Sequence, residues 1–191
     1  TVDGEDAKDF DDAVYAKKLE DGNYFLGVYI ADVSYYVREN SVLDLEARER
    51  GTSVYLVDRV LPMLPERLSN GICSLNEGQD RLVMGCEMKI QAGDGKILSY
   101  DLFPGVIRSR HRLTYTIVRK IVQDQDQELR HEYEDIVPML EQMQGLCQIL
   151  RKKRAARGAI DFDLPEQKVL LDDQGRPVAI IPRERSIAES I

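Results

Sequence analysis

Six of the first twelve residues are acidic (Asp3, Glu5, Asp6, Asp9, Asp11 and Asp12), and Lys8 is the only cation among them. Two carboxylates held about 4 Å apart repel by roughly 4 kcal/mol at an effective dielectric near 20. A fold that gathers four of them must therefore offset the repulsion with protons or cations, or leave the segment in water. Hard divalent ions such as Mg²⁺ prefer oxygen ligands and retain several waters, so an Asp cluster suits them. Two such ions can clamp the attacking and leaving oxygens of a phosphoryl group. A calcium loop of the D-x-D-x-D-G type is excluded, because the sixth position counted from Asp9 is Val14 rather than glycine. Gly4 lets a loop turn back and bring Asp3 toward Asp9–Asp12. On spacing alone, a solvated acidic loop and a metal site both remain open.

The whole chain carries 26 basic and 34 acidic residues, a net charge of −8, with a sequence pI near 4.9. The opening alone holds five of those eight excess charges. A basic surface over the entire chain is excluded, so contact with a polyanion has to be local. Cys73, Cys86 and Cys147 show no CxxC spacing, which argues against a disulfide framework or zinc cluster and favours reduced thiols in a cytoplasmic protein. The longest nearly apolar run, Tyr24 to Ala31, is too short to span a bilayer, so no membrane partner is expected.

Residues 1–191 read as one α+β unit, with a mixed or antiparallel sheet packed against helices. Alternation and β-branched content predict strands at Ala13–Lys17, Tyr24–Asp32, Leu82–Gln91 and Ile97–Ser109, the last bent or bulged at Pro104-Gly105. Asn23 and Gly22 in one turn, and Gly93 and Gly95 in another, close two hairpins. Ser41 and Gly51 bracket a short helix as N-cap and terminator. Ile136, Leu140, Met143, Cys147 and Leu150, at alternating spacings of four and three, predict a longer helix after Asp135 that Gly158 stops. The stripe reads as core packing rather than a coiled-coil seam. Gln167–Leu171 and Pro177–Ile181 predict a further hairpin. The final SIAESI, with Ser186 and Glu189 at capping-box spacing, announces one more helix. With a start at Thr1 rather than Met, this suggests a piece of a longer polypeptide.

TVDGEDAKDFDDAVY resembles the opening signature of the ribonuclease II/ribonuclease R family catalytic (RNB) domain, and its GEDAKDFDD form is closer to ribonuclease R. The resemblance continues through VYIADVSYYV, RGTSVYLVDRVLPMLPERLSNGICSLNEGQDRLVM and PGVIRSRHRLTY, and so covers essentially the whole chain. It implies the N-terminal portion of an exoribonuclease catalytic domain: a processive, Mg²⁺-dependent 3′→5′ enzyme that releases nucleoside 5′-monophosphates. It further implies that Asp3, Asp9, Asp11 and Asp12 are the catalytic, metal-binding carboxylates. Asp3 and Asp12 would hold the better-defined ion. Asp9 and Asp11 would hold or orient a second ion and the attacking water, with Asp11 the most sensitive to loss. Asp6 is left as a spectator and Glu5 as solvated.

Gripping single-stranded RNA calls for aromatic faces and for cations that follow phosphates. Tyr55 and Phe162 could each be ordinary core residues. The resemblance implies that they sandwich the 3′-terminal bases, and that Tyr115 contacts the nucleotide near the metals. Arg108, Arg110 and Arg112, just before Tyr115, are candidates to track phosphates. Arg151–Arg154 and Arg157 read as cations complementing a helix C-terminus. LPMLPERLSNGICSL reads as architectural, shaping the wall of the RNA channel.

Two other readings compete: a noncatalytic RNA-binding or scaffold member of the same fold, and an unrelated acidic module that docks a basic partner. The first should lose acidic ligands, yet all four aspartates are present. The second leaves the long resemblance unexplained. By the same resemblance, relatives carry flanking OB-type RNA-binding domains, and an arginine-bearing segment aimed at the scissile phosphate falls after Ile191. The isolated chain is therefore expected to show little or no nuclease activity. An Mg²⁺-dependent degradation assay on it checks this, and robust processive digestion would contradict it.

Overall fold

The computed structural model describes residues 1–160, 166–183 and 187–190. In chain order, β1 (Val2–Asp3) leads through the acidic loop into β2 (Asp12–Lys18) and β3 (Tyr24–Ala31). Two helices follow, α1 (Val33–Tyr36) and α2 (Val42–Arg50), then the small strands β4 (Val54–Tyr55) and β5 (Val60–Leu61). A π-helix spans Arg67–Ile72, before the long strands β6 (Asp80–Ile90) and β7 (Ile97–Arg108) and the short β8 (Leu113–Thr114). The helices α3 (Tyr115–Val122), α4 (Gln127–Glu132) and α5 (Val137–Ala156) come next. A hairpin of β9 (Glu166–Leu171) and β10 (Pro177–Arg183) and a 3₁₀ turn at Ile187–Ser190 complete the chain.

The main sheet has the order β2-β3-β6-β7 and is antiparallel throughout. Alternation along β2 sends Ala13 to one face and Val14 and Ala16 to the other. On the second face, Ala16 joins Leu113, Val118, Ile121, Leu140 and Met143 in the largest core, with Val14 and Leu26 packed against it. The stripe predicted for the long helix performs this burial: Ile136, Leu140, Met143 and Cys147 are buried, and Leu150 supports a smaller cluster around Tyr24 and Ile90. On the opposite face, Ala13, Ala31 and Val83 meet Phe10, Cys73 and Leu75. The acidic loop is thus anchored by Phe10 at one end of the sheet. Beside it on that face, a Cβ on Gly27 would lie 2.5 Å from the Tyr29 hydroxyl, so a side chain there would push the ring from its place. The Tyr29 hydroxyl donates to Glu87 at 2.9 Å, and burial together with that carboxylate pushes the phenol up to about 12.

Ser41 caps α2 by accepting the Asp44 N–H, and Gly51 ends it in the left-handed region at φ 71°. The bulge expected at Pro104–Gly105 is not there. Pro104 pairs with Met84 and Gly105 with Val83 in unbroken register, and the shift falls between Lys89 and Ile90. β7 is an outer strand of this sheet, where proline's missing N–H interrupts no ladder. The helix announced by SIAESI is a single 3₁₀ turn over the described residues.

At the β2–β3 turn, the Asp21 carboxylate accepts from Lys89 Nζ at 2.6 Å and from the Asn23 N–H at 3.0 Å. Those bonds, the lysine's foremost, lower its pKa to about 2. A carboxyl depressed on folding contributes stability above its unfolded pKa, and this is lost as pH falls through the folded value. A ¹³C carboxyl titration should therefore place Asp21 near 2, and Lys89→Met should move it up toward 3.8. A wild-type midpoint already near 4 would contradict the pairing.

Candidate active site

Two short pairings aim the acidic segment. β1 lies parallel to β8, with Val2 opposite Leu113 and Asp3 opposite Thr114. Asp12 begins β2 opposite Ile30, and the Asp11 carbonyl accepts the Ala31 N–H at 2.8 Å. Between these ends the loop is held through its backbone. Arg112 donates to the carbonyls of Gly4 (2.6 Å) and Glu5 (3.0 Å), and its guanidinium lies 5.3 Å from the centre of the Phe10 ring. Ser74, from the other side, bonds both Lys8 and Phe10.

The side chains held this way face a cavity of about 760 Å³ lined by Asp3, Asp9, Asp11, Tyr55, Arg59, Ser69 and Asn70, with Lys8, Asp6 and Glu66 among its other walls. Tyr55 is exposed, and its hydroxyl donates to Asp9 Oδ2 at 3.1 Å. Partial burial and then the Asp9 carboxylate raise that phenol's pKa. Asp11 is also raised, first by the hydration that surrounding protein withholds and then by Asp9, Asp12 and Asp3. Asp12 is raised by the same loss of hydration and by Asp3. Asp11 thus feels the other three carboxylates and Asp12 feels Asp3, an electrostatic load that a divalent cation would relieve. Among the described residues the cavity offers hard oxygen donors and no thiol or imidazole, a set suited to Mg²⁺. Among the described residues no group of three or more acidic, histidine or cysteine side chains is gathered closely enough to hold a metal ion by itself. Mg²⁺ is usually held by one or two carboxylates and keeps waters elsewhere, so this arrangement fits it.

Tyr115 opens α3 immediately after Thr114, the partner of Asp3, and packs half-buried against the main core. Phe162 lies outside the described residues. Arg108 makes a two-pronged contact with Asp80 at 2.7 and 2.9 Å, and with Arg110 it lines a separate cavity of about 500 Å³. Arg112 is committed to the acidic loop. None of these three arginines lines the acidic cavity; Lys8 and Arg59 do. Neither of those two stands out from the sequence as an RNA contact, although Arg59 falls in the block that carries the resemblance. Asp6 is exposed and 3.6 Å from Lys168, and Glu5 accepts from the Thr116 hydroxyl.

A match to the RNB domain model extends over residues 1–191. The chain belongs to the RNB domain family. Ribonuclease R of Thermotoga maritima is 54% identical over 192 residues, covering 100% of this chain and 27% of the relative. Ribonuclease R of Escherichia coli K12 is 48% identical over 191 residues, covering 100% and 23%. The RNB chain therefore spans about a quarter of the length of these curated relatives. Among solved structures, Mycoplasma genitalium ribonuclease R in complex with ribose-methylated single-stranded RNA superposes with a TM-score of 0.90. It is 35% identical, with 100% of this chain and 29% of that chain covered. Among the described residues, no helix is long and apolar enough to cross a membrane.

Because Arg112 holds two backbone carbonyls, Arg112→Met should cost about 1–3 kcal/mol in denaturant unfolding, the scale of charged hydrogen bonds lost. Amide exchange near Glu5–Ala7 should quicken. Unchanged stability and exchange would return Arg112 to the RNA-contacting candidates.

Proposed function

We propose that this RNB chain is the acidic part of an Mg²⁺-dependent, processive 3′→5′ exoribonuclease that hydrolyses RNA to nucleoside 5′-monophosphates. The observation that carries the reading is the common cavity shared by Asp3, Asp9, Asp11 and Tyr55, with Asp12 coupled electrostatically to Asp11 and Asp3. In the reaction, water adds to the 3′-terminal phosphodiester phosphorus and the bond to the preceding 3′ oxygen breaks. That oxygen takes up a proton, and a nucleoside 5′-monophosphate leaves.

Asp3, Asp9, Asp11 and Asp12 would hold the divalent cations, which when bound supply charge neutralisation for the phosphoryl group and a more acidic water. Asp11, the carboxylate raised by all three of the others, orients the attacking water by accepting its hydrogen bond. Tyr55 presents an exposed ring beside Asp9, where a terminal base can stack; such stacking contributes about 1–3 kcal/mol per base. Phe162 is the proposed opposite face of that stack, and Tyr115 a nucleotide contact close to Asp3. Among the described residues, Lys8 and Arg59 are the cations at the cavity from which a phosphate would gain attraction. OB-type domains elsewhere in the parent polypeptide would deliver the single strand, and a cytoplasmic location follows from the same reading. The net charge of −8 is no obstacle, because the strand meets only this lined cavity.

The test places residues 1–191 in Thermotoga maritima ribonuclease R, in exchange for the matching segment. Asp11→Asn in that chimera should leave RNA affinity unchanged. Single-turnover cleavage should fall on the order of a thousandfold, the scale of a lost charge-stabilising group in phosphoryl transfer. Cleavage at the unsubstituted rate would show that Asp11 does not orient the attacking water.

A further inference from the structure

The segment from Glu66 to Leu75 meets the acidic site twice. Glu66, Ser69 and Asn70 line the cavity. The intervening turn is a π-helix, a form found often at functional sites, which closes with the Cys73 N–H on the Leu68 carbonyl at 2.9 Å. The next residue, Ser74, is 0% exposed and lies between Cys73 and Leu75, both members of the apolar cluster that includes Phe10 and Val83. A hydroxyl enclosed among apolar side chains is costly unless satisfied. Here it is satisfied twice: it accepts the Phe10 N–H at 3.0 Å and donates to the Lys8 carbonyl at 2.9 Å.

Those two groups belong to the peptide units on either side of one Cα, that of Asp9. A single oxygen therefore fixes both planes that define the Asp9 backbone. The next residue continues the grip, since the Leu75 N–H donates to the Phe10 carbonyl at 2.9 Å. The post is itself braced: Arg81 donates Nε to the Ser74 carbonyl at 2.8 Å and a terminal nitrogen to the Gly71 carbonyl at 3.1 Å.

The geometry assigns Ser74 as a positioning residue whose hydroxyl sets the direction in which the Asp9 carboxylate enters the cavity. This rests on the proposal that the aspartates form a divalent-cation site. Ser74 touches no reacting atom; it acts through Asp9. Partners that orient metal ligands typically carry ten- to hundredfold in metal affinity.

The test measures Mn²⁺ binding to the 191-residue chain by calorimetry and by the electron paramagnetic resonance of the bound ion, at a temperature where every variant is folded. Ser74→Ala should weaken Mn²⁺ binding roughly ten- to hundredfold and alter the bound-ion spectrum. Leu140→Ala, which opens the distant main core, should lower the melting temperature while leaving affinity and spectrum unchanged. Should Ser74→Ala fail to fold, Arg81→Gln, which loosens the brace, should shift affinity and spectrum in the same direction. A wild-type chain that binds Mn²⁺, with folded Ser74→Ala or Arg81→Gln binding it equally well, overturns the role of Ser74 alone. A wild-type chain that binds no Mn²⁺ overturns the cation-site proposal as well.

Discussion

Carboxylates gathered at one end of a sheet repel one another, and in this RNB chain they are held largely through the backbone. Asp3 is fixed by a two-residue parallel pairing with β8, and Asp12 by its place at the start of β2. Arg112 grips the carbonyls of Gly4 and Glu5, and Ser74 grips the peptide units around Asp9. The Arg112 guanidinium directs its hydrogen bonds to the Gly4 and Glu5 carbonyls, so those contacts organise the loop without capping any of the four aspartates. The upward displacement of Asp11 and Asp12 is the residue of repulsion and withheld hydration that this construction leaves. A divalent cation is the species that would remove it.

The same arrangement separates recognition from charge. Tyr55 stands on the small β4–β5 ribbon, exposed and tied by its hydroxyl to Asp9. In the proposed reading, a base stacked there would be referred through that hydroxyl directly to Asp9. Among the described residues the cations at this cavity are Lys8 and Arg59, whereas Arg108 and Arg110 open onto another cavity beside α5 and β2. Net charge over the whole molecule therefore says little about whether a polyanion is admitted; the lining of one cavity decides it.

The long elements are legible in the sequence because their signals are periodic. Alternation locates β2, β3, β6 and β7 to within a residue or two, and the four-and-three stripe locates α5 together with its buried face. Ser41 and Gly51 mark the ends of α2 through chemistry that needs no tertiary context. Short elements carry no period. β1 and β8 are two residues each and exist only because the chain returns beside Thr1, and the Arg67–Ile72 turn has no composition that distinguishes π from α. Pro104 misleads because its effect depends on whether its strand is central or outer. The acidic residues are legible as a group from composition and from the family resemblance, but what holds them is not. Arg112 reads as a cation for phosphate because nothing local shows that it ends on Gly4, 108 positions away. Ser74 is hidden inside a segment that reads as architectural, and nothing local shows that its hydroxyl ends on the backbone around Asp9.

Function in this fold turns on whether the four aspartates, oriented by their backbone, form a seat for divalent ions. Crystals of the chain grown with Mn²⁺ and measured at the manganese absorption edge address this directly. Anomalous peaks should appear in the cavity lined by Asp3, Asp9, Asp11 and Tyr55, on the side toward Asp12. Crystals at saturating Mn²⁺ that show no peak there, while the four side chains keep the positions described, would contradict it.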